Sequence, residues 1–173
     1  MPSGGALNLP PEHLLNLARE IGYTDQRMDL LLNGWKRVGV MAQEYRSEIL
    51  ERTLKTLHIA VDGVKASVIV NIDGLLVAAY PPGDEENPHE NPTSSPQVAA
   101  MSATLIGLAE RTLGRLAQGE LERLLMEGEE GVMVVYPAGR ASVAVLVEKN
   151  ARLSHVLFAT KKAASEIAQI LGY

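Results

Sequence analysis

Hydrophobic residues recur at helical spacing in several stretches of this chain. In one stretch the spacings are four, three and four, set by Leu50, Leu54, Leu57 and Val61. Charged residues separate these positions, so the pattern predicts an amphipathic helix over residues 42–60. The same argument predicts two long helices at residues 96–117 and 153–171. In the last of these the predicted inner residues are Val156, Ala163, Ile167 and Ile170.

The first forty residues also have helical character. Prolines 10 and 11 at the start and Gly22 at the end are typical of a short helix. A second helical pattern over residues 25–32 is followed by Asn33-Gly34, a pair that is typical of a break. We therefore predict a helical N-terminal extension over residues 1–43 and a separate domain over residues 44–173.

Elsewhere the hydrophobic pattern is typical of β-strands. Residues 66–71 and 75–80 are rich in β-branched and apolar residues and flank Asp73-Gly74, which predicts a hairpin. Three further strand-like stretches follow at residues 120–127, 132–136 and 141–147, separated by glycine-rich turns. The resulting order of helix, two strands, helix, three strands and helix predicts an α+β fold. Its five-stranded, mainly antiparallel sheet carries helices on its faces.

The segment from Pro81 to Pro96 differs from its surroundings. It holds five prolines and four acidic residues, and apart from proline it has no apolar side chain. Because it cannot bury surface, it is expected to be a mobile loop. Its carboxylates and His89 could bind a divalent cation loosely, but a solvated connector is the simpler interpretation.

Charge and composition narrow the function classes. Sixteen basic and 21 acidic residues give a net charge of −5, which disfavours nonspecific binding to nucleic acid or to anionic membranes. The chain has no cysteine, which excludes disulfides, thiol nucleophiles and thiolate metal sites. No stretch approaches the length of a membrane-spanning helix, and the N-terminus lacks the pattern of a secretion signal. We expect a soluble, cytoplasmic protein without direct membrane insertion.

Candidate catalytic groups are scarce. The four histidines lie in separate segments without a second ligand at helical spacing, and there is no phosphate-binding glycine loop. Arg111 and Arg115 could supply a catalytic arginine to a partner nucleotide, although ordinary surface charge is the simpler interpretation. We therefore predict a protein that is not an enzyme, with no catalytic, cofactor-binding or metal site.

The predicted helix at residues 96–117, labelled α3 below, carries two stripes. The apolar one, interpreted as the core face, comprises Val98, Met101, Leu105, Leu108, Thr112 and Leu116. The other, here called the α3 seam, consists mostly of small residues: Ala100, Ala103, Gly107, Glu110, Gly114 and Ala117. An interior glycine costs a helix about 1 kcal/mol relative to alanine, so two on one face favour a close packing role. Pairing of this helix between two copies is favoured, and packing beneath the chain's own long loop is the alternative.

Three stretches resemble the roadblock (dynein light chain) family. They are DGVKASVIVNIDGLLVA at residues 62–78, the segment from GELE to VVYPAG at residues 119–139, and AASEI at residues 163–167. The resemblance spans about residues 45–172. It implies an α+β module that dimerises by joining sheet edges and by placing the middle helices of two copies side by side.

The resemblance also implies a function. Members of the family are non-enzymatic scaffolds and regulators of Ras-like small GTPases, including bacterial gliding-motility regulators that stimulate GTP hydrolysis without donating a catalytic group. By this resemblance the chain is a homodimer that regulates or localises such a GTPase. The α3 seam would form the dimer, and Ser102, Ile106, Glu110 and Arg111, taken as the more exposed residues, would contact the partner. The alternatives are a structural scaffold subunit and a small-molecule sensor without a GTPase.

Overall fold

The structure is a computed structural model that describes residues 12–20, 22, 24–82 and 96–173. Most of the predicted loop at residues 81–96 lies outside the described residues. The chain forms two units, Met1–Glu48 and Ile49–Tyr173, and each is considered by itself. The predicted boundary between residues 43 and 44 stays a prediction.

The N-terminal helices are α1 (Glu12–Glu20) and α2 (Asp25–Ala60), and the division between the two units falls within α2. The predicted break at Asn33-Gly34 is wrong, because α2 is helical through both residues. Gly34 does not adopt a positive φ. An interior glycine lowers helix stability by about 1 kcal/mol, and strong helix formers on both sides can offset that cost. The helix predicted at residues 42–60 is the C-terminal part of α2.

Five strands form one antiparallel sheet. They are β1 (Val64–Asn71), β2 (Leu76–Tyr80), β3 (Leu124–Glu127), β4 (Gly131–Ala138) and β5 (Ala141–Glu148), in the order β2-β1-β5-β4-β3. Two further helices, α3 (Pro96–Arg115) and α4 (Leu153–Leu171), complete the second unit. The predicted α+β fold is confirmed, with β3 beginning four residues later than expected.

The β1–β2 hairpin turns where the sequence predicts it. Gly74 adopts a φ of +80°, a conformation that favours glycine. The side-chain oxygen of Asn71 accepts hydrogen bonds from the backbone N–H groups of Asp73 (3.0 Å) and Leu75 (2.8 Å). A Cβ built on Gly74 would lie 3.0 Å from the Cα atom of Ala100, so the turn closely approaches the start of α3.

Helices cover both faces of the sheet. On one face, residues 50–57 of α2 and the inner side of α4 form the larger core with Ile69, Val134, Val143 and Val145. The predicted inner residues of α4 are confirmed, with Val156, Ala163 and Ile167 buried and Ile170 partly buried. On the opposite face, α3 forms a smaller core with the sheet, whose buried members are Val68, Val70, Ala99, Ile106, Val135 and Ala144.

Two ion pairs flank the edge strand β3. Before it, Lys161 Nζ donates a hydrogen bond of 2.9 Å to Glu122 Oε1. At the last residue of β3, Glu127, the Oε1 atom accepts a hydrogen bond from Lys149 Nζ, which also donates to the carbonyl oxygen of Gly128 at 2.9 Å. The hydrogen bond and charge of Lys161 hold the pKa of Glu122 below its ordinary value of 4.5, and Lys149 lowers the pKa of Glu127 in the same way. These contacts join the edge strand to α4 and to the turn after β5.

The glycine at the start of β4 gives the first prediction. A Cβ at Gly131 would lie 2.5 Å from the backbone carbonyl oxygen of Val147, whereas one at Gly128 would make an ordinary 3.6 Å contact. We expect Gly131→Ala to lower the free energy of unfolding by about 1–3 kcal/mol, because backbone must move. Gly128→Ala should stay within about 0.5 kcal/mol. Urea unfolding of both variants checks this, and equal losses would contradict the predicted clash.

The β3 ion pairs give a pH prediction. Both carboxyls bind protons more weakly in the folded chain, so the unfolded chain takes up more protons as the pH falls through 4.5. Their stabilisation is therefore present above that range and lost below it. Replacing Glu122 and Glu127 together by Gln should reduce the loss of stability between about pH 6 and pH 3. Glu129→Gln is the control, since Glu129 has no ion pair among the described residues. An identical pH dependence in all three proteins would contradict the assignment.

Candidate functional site

The core face of α3 differs from the one that the hydrophobic pattern predicts. Its buried residues are Ala99, Ser102 and Ile106. Met101 and Leu108, which the hydrophobic pattern predicts to be core residues, are 64% and 55% exposed. Of the remaining predicted core residues, Val98 and Leu105 are half-buried and Thr112 and Leu116 are exposed. The predicted core stripe is therefore wrong, because α3 packs on the sheet through smaller side chains and leaves larger ones outside.

The α3 seam is largely open. Ala103 and Gly107 are half-buried, whereas Ala100, Glu110, Gly114 and Ala117 are exposed. Apart from the backbone of the helix itself, no described atom lies within 4 Å of a Cβ built on Gly107 or Gly114. The described part of the chain therefore leaves space over both glycines. The proposed role of the seam in dimerisation stays a prediction.

The four residues proposed to contact a partner fall into two groups. Ser102 is 2% exposed and Ile106 is 7% exposed, so the expectation that they are accessible is wrong. Both point into the smaller core, because the true core face of α3 is rotated from the predicted one. Glu110 and Arg111 are exposed, as expected. Their contact with a partner stays a prediction.

Three polar side chains on the exposed side of α3 donate hydrogen bonds within the helix. Thr104 and Thr112 donate hydrogen bonds of 2.8 Å to the carbonyl oxygens of Ala100 and Leu108. Arg111 Nε donates to the carbonyl oxygen of Gly107 at 3.1 Å. Burying a hydroxyl that keeps its hydrogen bond costs far less than burying one that loses it. The two threonines can therefore be covered by another protein at modest cost.

The free edge of β3 adds backbone groups to this surface. β3 is a four-residue edge strand. Its first residue, Leu124, and the preceding Leu121 pack against the core under α3. An edge strand presents N–H and C=O groups that can pair with another chain. The α3/β3 surface is defined here as Met101, Gly107, Leu108 and Gly114 of α3 together with the free edge of Leu124–Glu127. It combines an apolar helix face with an open sheet edge, as a protein-binding surface does.

A groove lies between α2 and α4 within the second unit. This groove of about 380 Å³ is lined by apolar residues including Leu57, Val61 and Phe158, and by Thr53 and His155 among the polar ones. The groove matters for the alternative function of a small-molecule sensor, because a sensor needs polar groups that can orient a small molecule inside an enclosed pocket. The groove is open and mostly apolar.

The remaining predicted features carry little chemistry. Among the described residues, no group of three or more His, Asp or Glu side chains is arranged to hold a metal ion. The candidate cation ligands around His89 lie outside the described residues. Lys161 is bonded to Glu122, and Lys162 lies 3.9 Å from Glu166. No helix in the described ranges is long and apolar enough to cross a membrane.

Comparisons with known proteins agree with this architecture. A solved Roadblock/LC7 domain from Streptomyces avermitilis has a TM-score of 0.62 at 18% identity, covering 71% of this chain and 98% of that one. The gliding protein MglB from Thermus thermophilus has a TM-score of 0.60 at 17% identity, covering 72% and 90%. Myxococcus xanthus MglB has a TM-score of 0.60 at 18% identity, covering 70% and 93%. These similarities show a shared fold.

Sequence comparison shows the family. A relative from Methanocaldococcus jannaschii, "Uncharacterized protein MJ0310", is 31% identical over 119 residues, covering 69% of this chain and 96% of that protein. The family model described as the Roadblock/LC7 domain matches residues 51–148, more than half of the chain. That range contains the whole sheet, α3 and the open surface that they form. The chain belongs to the Roadblock/LC7 domain family.

Proposed function

We propose that this chain is a homodimeric interaction module that binds and regulates a Ras-like small GTPase. The observation that carries the proposal is the open α3/β3 surface on a Roadblock/LC7 domain. The resemblance already described implies that family members regulate Ras-like GTPases. Several solved MglB structures share this fold. The chain would act within the cytoplasm, as part of a signalling assembly.

Dimerisation through the α3 seam is the first element of the proposal. Gly107 and Gly114 leave room for a second helix to approach closely, and the free edge of β3 can pair with its counterpart in the same contact. A two-fold contact would set the seam of one copy against the same seam of the other, which is the self-complementary arrangement of most homodimers.

The GTPase would bind the paired helices next to the seam. Arg111 is exposed there, Glu110 is exposed within the seam, and Leu108 supplies an apolar contact near Arg111. Met101 and Leu108 replace the buried Ser102 and Ile106 as proposed partner contacts. The rigid pair of helices would bind one arrangement of the GTPase switch loops more tightly than the other and so shift their populations.

The chemistry of hydrolysis would remain with the GTPase. Arg111 Nε donates to the carbonyl oxygen of Gly107, so its side chain lies along its own helix in this structure. We therefore propose a regulator that is not itself an enzyme. A scaffold without a GTPase remains the alternative function, and it would need the same dimer but no response to nucleotide.

Gly107→Glu tests the dimer. A Cβ at this position meets no described atom outside the helix, and glutamate is a better helix former than glycine, so the monomer should fold. In the paired state it would place a charge in a close helix contact. We expect the mass in solution, measured by sedimentation, to fall from that of a dimer to that of a monomer with unchanged circular dichroism. Ile59→Glu, at an exposed position of α2, is the matched control. A variant of unchanged mass would contradict the seam.

Nucleotide dependence tests the partner. The chain should co-sediment with a Ras-like GTPase of the same organism when that GTPase holds a non-hydrolysable GTP analogue, and more weakly when it holds GDP. Leu108→Glu should weaken this association while the dimer persists. A dimer that ignores the GTPase in both states would contradict regulation and favour the scaffold.

Arg111→Ala tests the absence of a donated arginine. An arginine finger contributes about 10³–10⁵ in rate, whereas a positioning contact contributes far less. At saturating concentrations of the variant, we expect GTP hydrolysis to stay within about tenfold of the rate with the unmodified chain. A loss of about a thousandfold with binding intact would show that Arg111 acts on the nucleotide.

A further inference from the structure

The N-terminal part of α2 carries an apolar stripe that the proposed function does not use. Five residues recur at spacings of three, four, three and four: Leu31, Gly34, Val38, Met41 and Tyr45. The backbone is helical through all of them. This spacing is the heptad repeat of paired helices, in which the residues of the stripe face a second helix. We call these five residues the α2 heptad stripe.

The described members of the α2 heptad stripe are open to solvent. Met41 and Tyr45 are each 67% exposed and Leu31 is 46% exposed. Gly34 is exposed, and a Cβ built on it would meet no described atom within 4 Å. An ordered stripe of large apolar side chains on the outside of a helix marks an interaction surface.

We propose that the α2 heptad stripe pairs with the same stripe of a second copy, with the two helices antiparallel. The stripe alternates between two heptad positions, one at residues 31, 38 and 45 and the other at residues 34 and 41. In an antiparallel pair, a residue of the first kind on one helix lies beside a residue of the second kind on the other helix. In the register where Gly34 faces Tyr45, positions 38 and 41 face each other at the centre, and Leu31 lies beyond this contact, opposite position 48. The smallest residue of the stripe is then matched with the largest at both ends of the 34–45 contact, so the aromatic ring can fill the space above the glycine.

Charges beside the stripe favour the same register. Arg37 directly precedes Val38 of the stripe and Glu44 directly precedes Tyr45, so the two charges occupy the same heptad position in successive heptads. Both residues are exposed. Neither has an ion pair among the described residues. Antiparallel pairing brings Arg37 of each copy opposite Glu44 of the other, which forms two attractive pairs. Because both complementary charges lie beside the stripe of one chain, they point to a second copy of this chain as the partner of the stripe.

Parallel pairing satisfies none of these relations. It would set Gly34 against Gly34 and leave a gap, and it would set Tyr45 against Tyr45. Arg37 and Glu44 would then face positions 42 and 49, where the sequence has alanine and isoleucine. The antiparallel arrangement is therefore the one that both volume and charge support.

The contact is short and needs support from elsewhere in the chain. Twelve helical residues, 34–45, extend over roughly 18 Å. A contact of that length buries few side chains, so the pairing is expected to form between copies that another interface already holds together. It is a second self-contact, separate from the α3 seam, and its test involves no GTPase.

Cysteine cross-linking tests the register directly, because the full chain contains no cysteine. Single variants Gly34→Cys and Tyr45→Cys are prepared and oxidised separately and as an equal mixture. In the antiparallel register, identical positions lie about 16 Å apart along the axis, beyond disulfide reach, whereas positions 34 and 45 are adjacent. We expect the mixture to give about tenfold more disulfide-linked dimer than either variant alone.

Other outcomes overturn the proposal. Cross-linking of Gly34→Cys by itself would show parallel pairing. Equal yields in all samples would show random collision, and no cross-link in any sample would show that the stripe does not pair with a second copy.

A charge exchange supplies an independent measurement. Arg37→Glu and Glu44→Arg should each lower the cross-link yield, because each creates two like-charge pairs. The doubly exchanged chain should recover the original yield, since its pairs are again attractive. Lys36→Glu, at an exposed position outside the stripe, is the control and should leave the yield unchanged. Failure of the double exchange to restore the yield would contradict the pairing of positions 37 and 44.

Discussion

The packing of α3 on the sheet through small side chains is the constraint on which the rest of the account depends. Ala99 and Ser102 allow the helix to lie close to β1 and β4, and Ile106 completes the contact. A helix that buries small residues inward must display its larger ones elsewhere, and Met101 and Leu108 are exposed for this reason. With Gly107 and Gly114 open beside them, the helix presents one side to its own sheet and another that remains without a described contact.

This geometry is what the proposed interaction module needs. On the exposed side of α3, Thr104 and Arg111 bond to their own helix. The ion pairs of Lys161 and Lys149 hold the region around β3 in place at the edge of the sheet. A firmly held helix and an open strand edge suit recognition of another folded protein, where shape and burial decide affinity.

Much of the fold can be predicted from the sequence, because apolar residues recur at different spacings in strands and in helices. The hairpin at Asp73-Gly74 can also be predicted, because Gly74 adopts the positive φ that the turn requires. The core face of α3 could not be predicted in the same way. Met101 and Leu108 are more hydrophobic than Ala99 and Ser102, so a pattern based on hydrophobicity selects the wrong side of the helix. The break predicted at Gly34 failed because a glycine weakens a helix without ending it. The seam was visible in the sequence because its glycines are costly in a helix, but whether it lies open depends on tertiary packing.

Hydrogen exchange of the α3 amides, with and without the GTPase, tests the central claim most directly. The account predicts that α3 and β3 gain protection when a GTPase loaded with a non-hydrolysable GTP analogue is added, and little protection when the GTPase holds GDP. Protection confined to another surface, such as the groove between α2 and α4, or no change with either nucleotide, would contradict it.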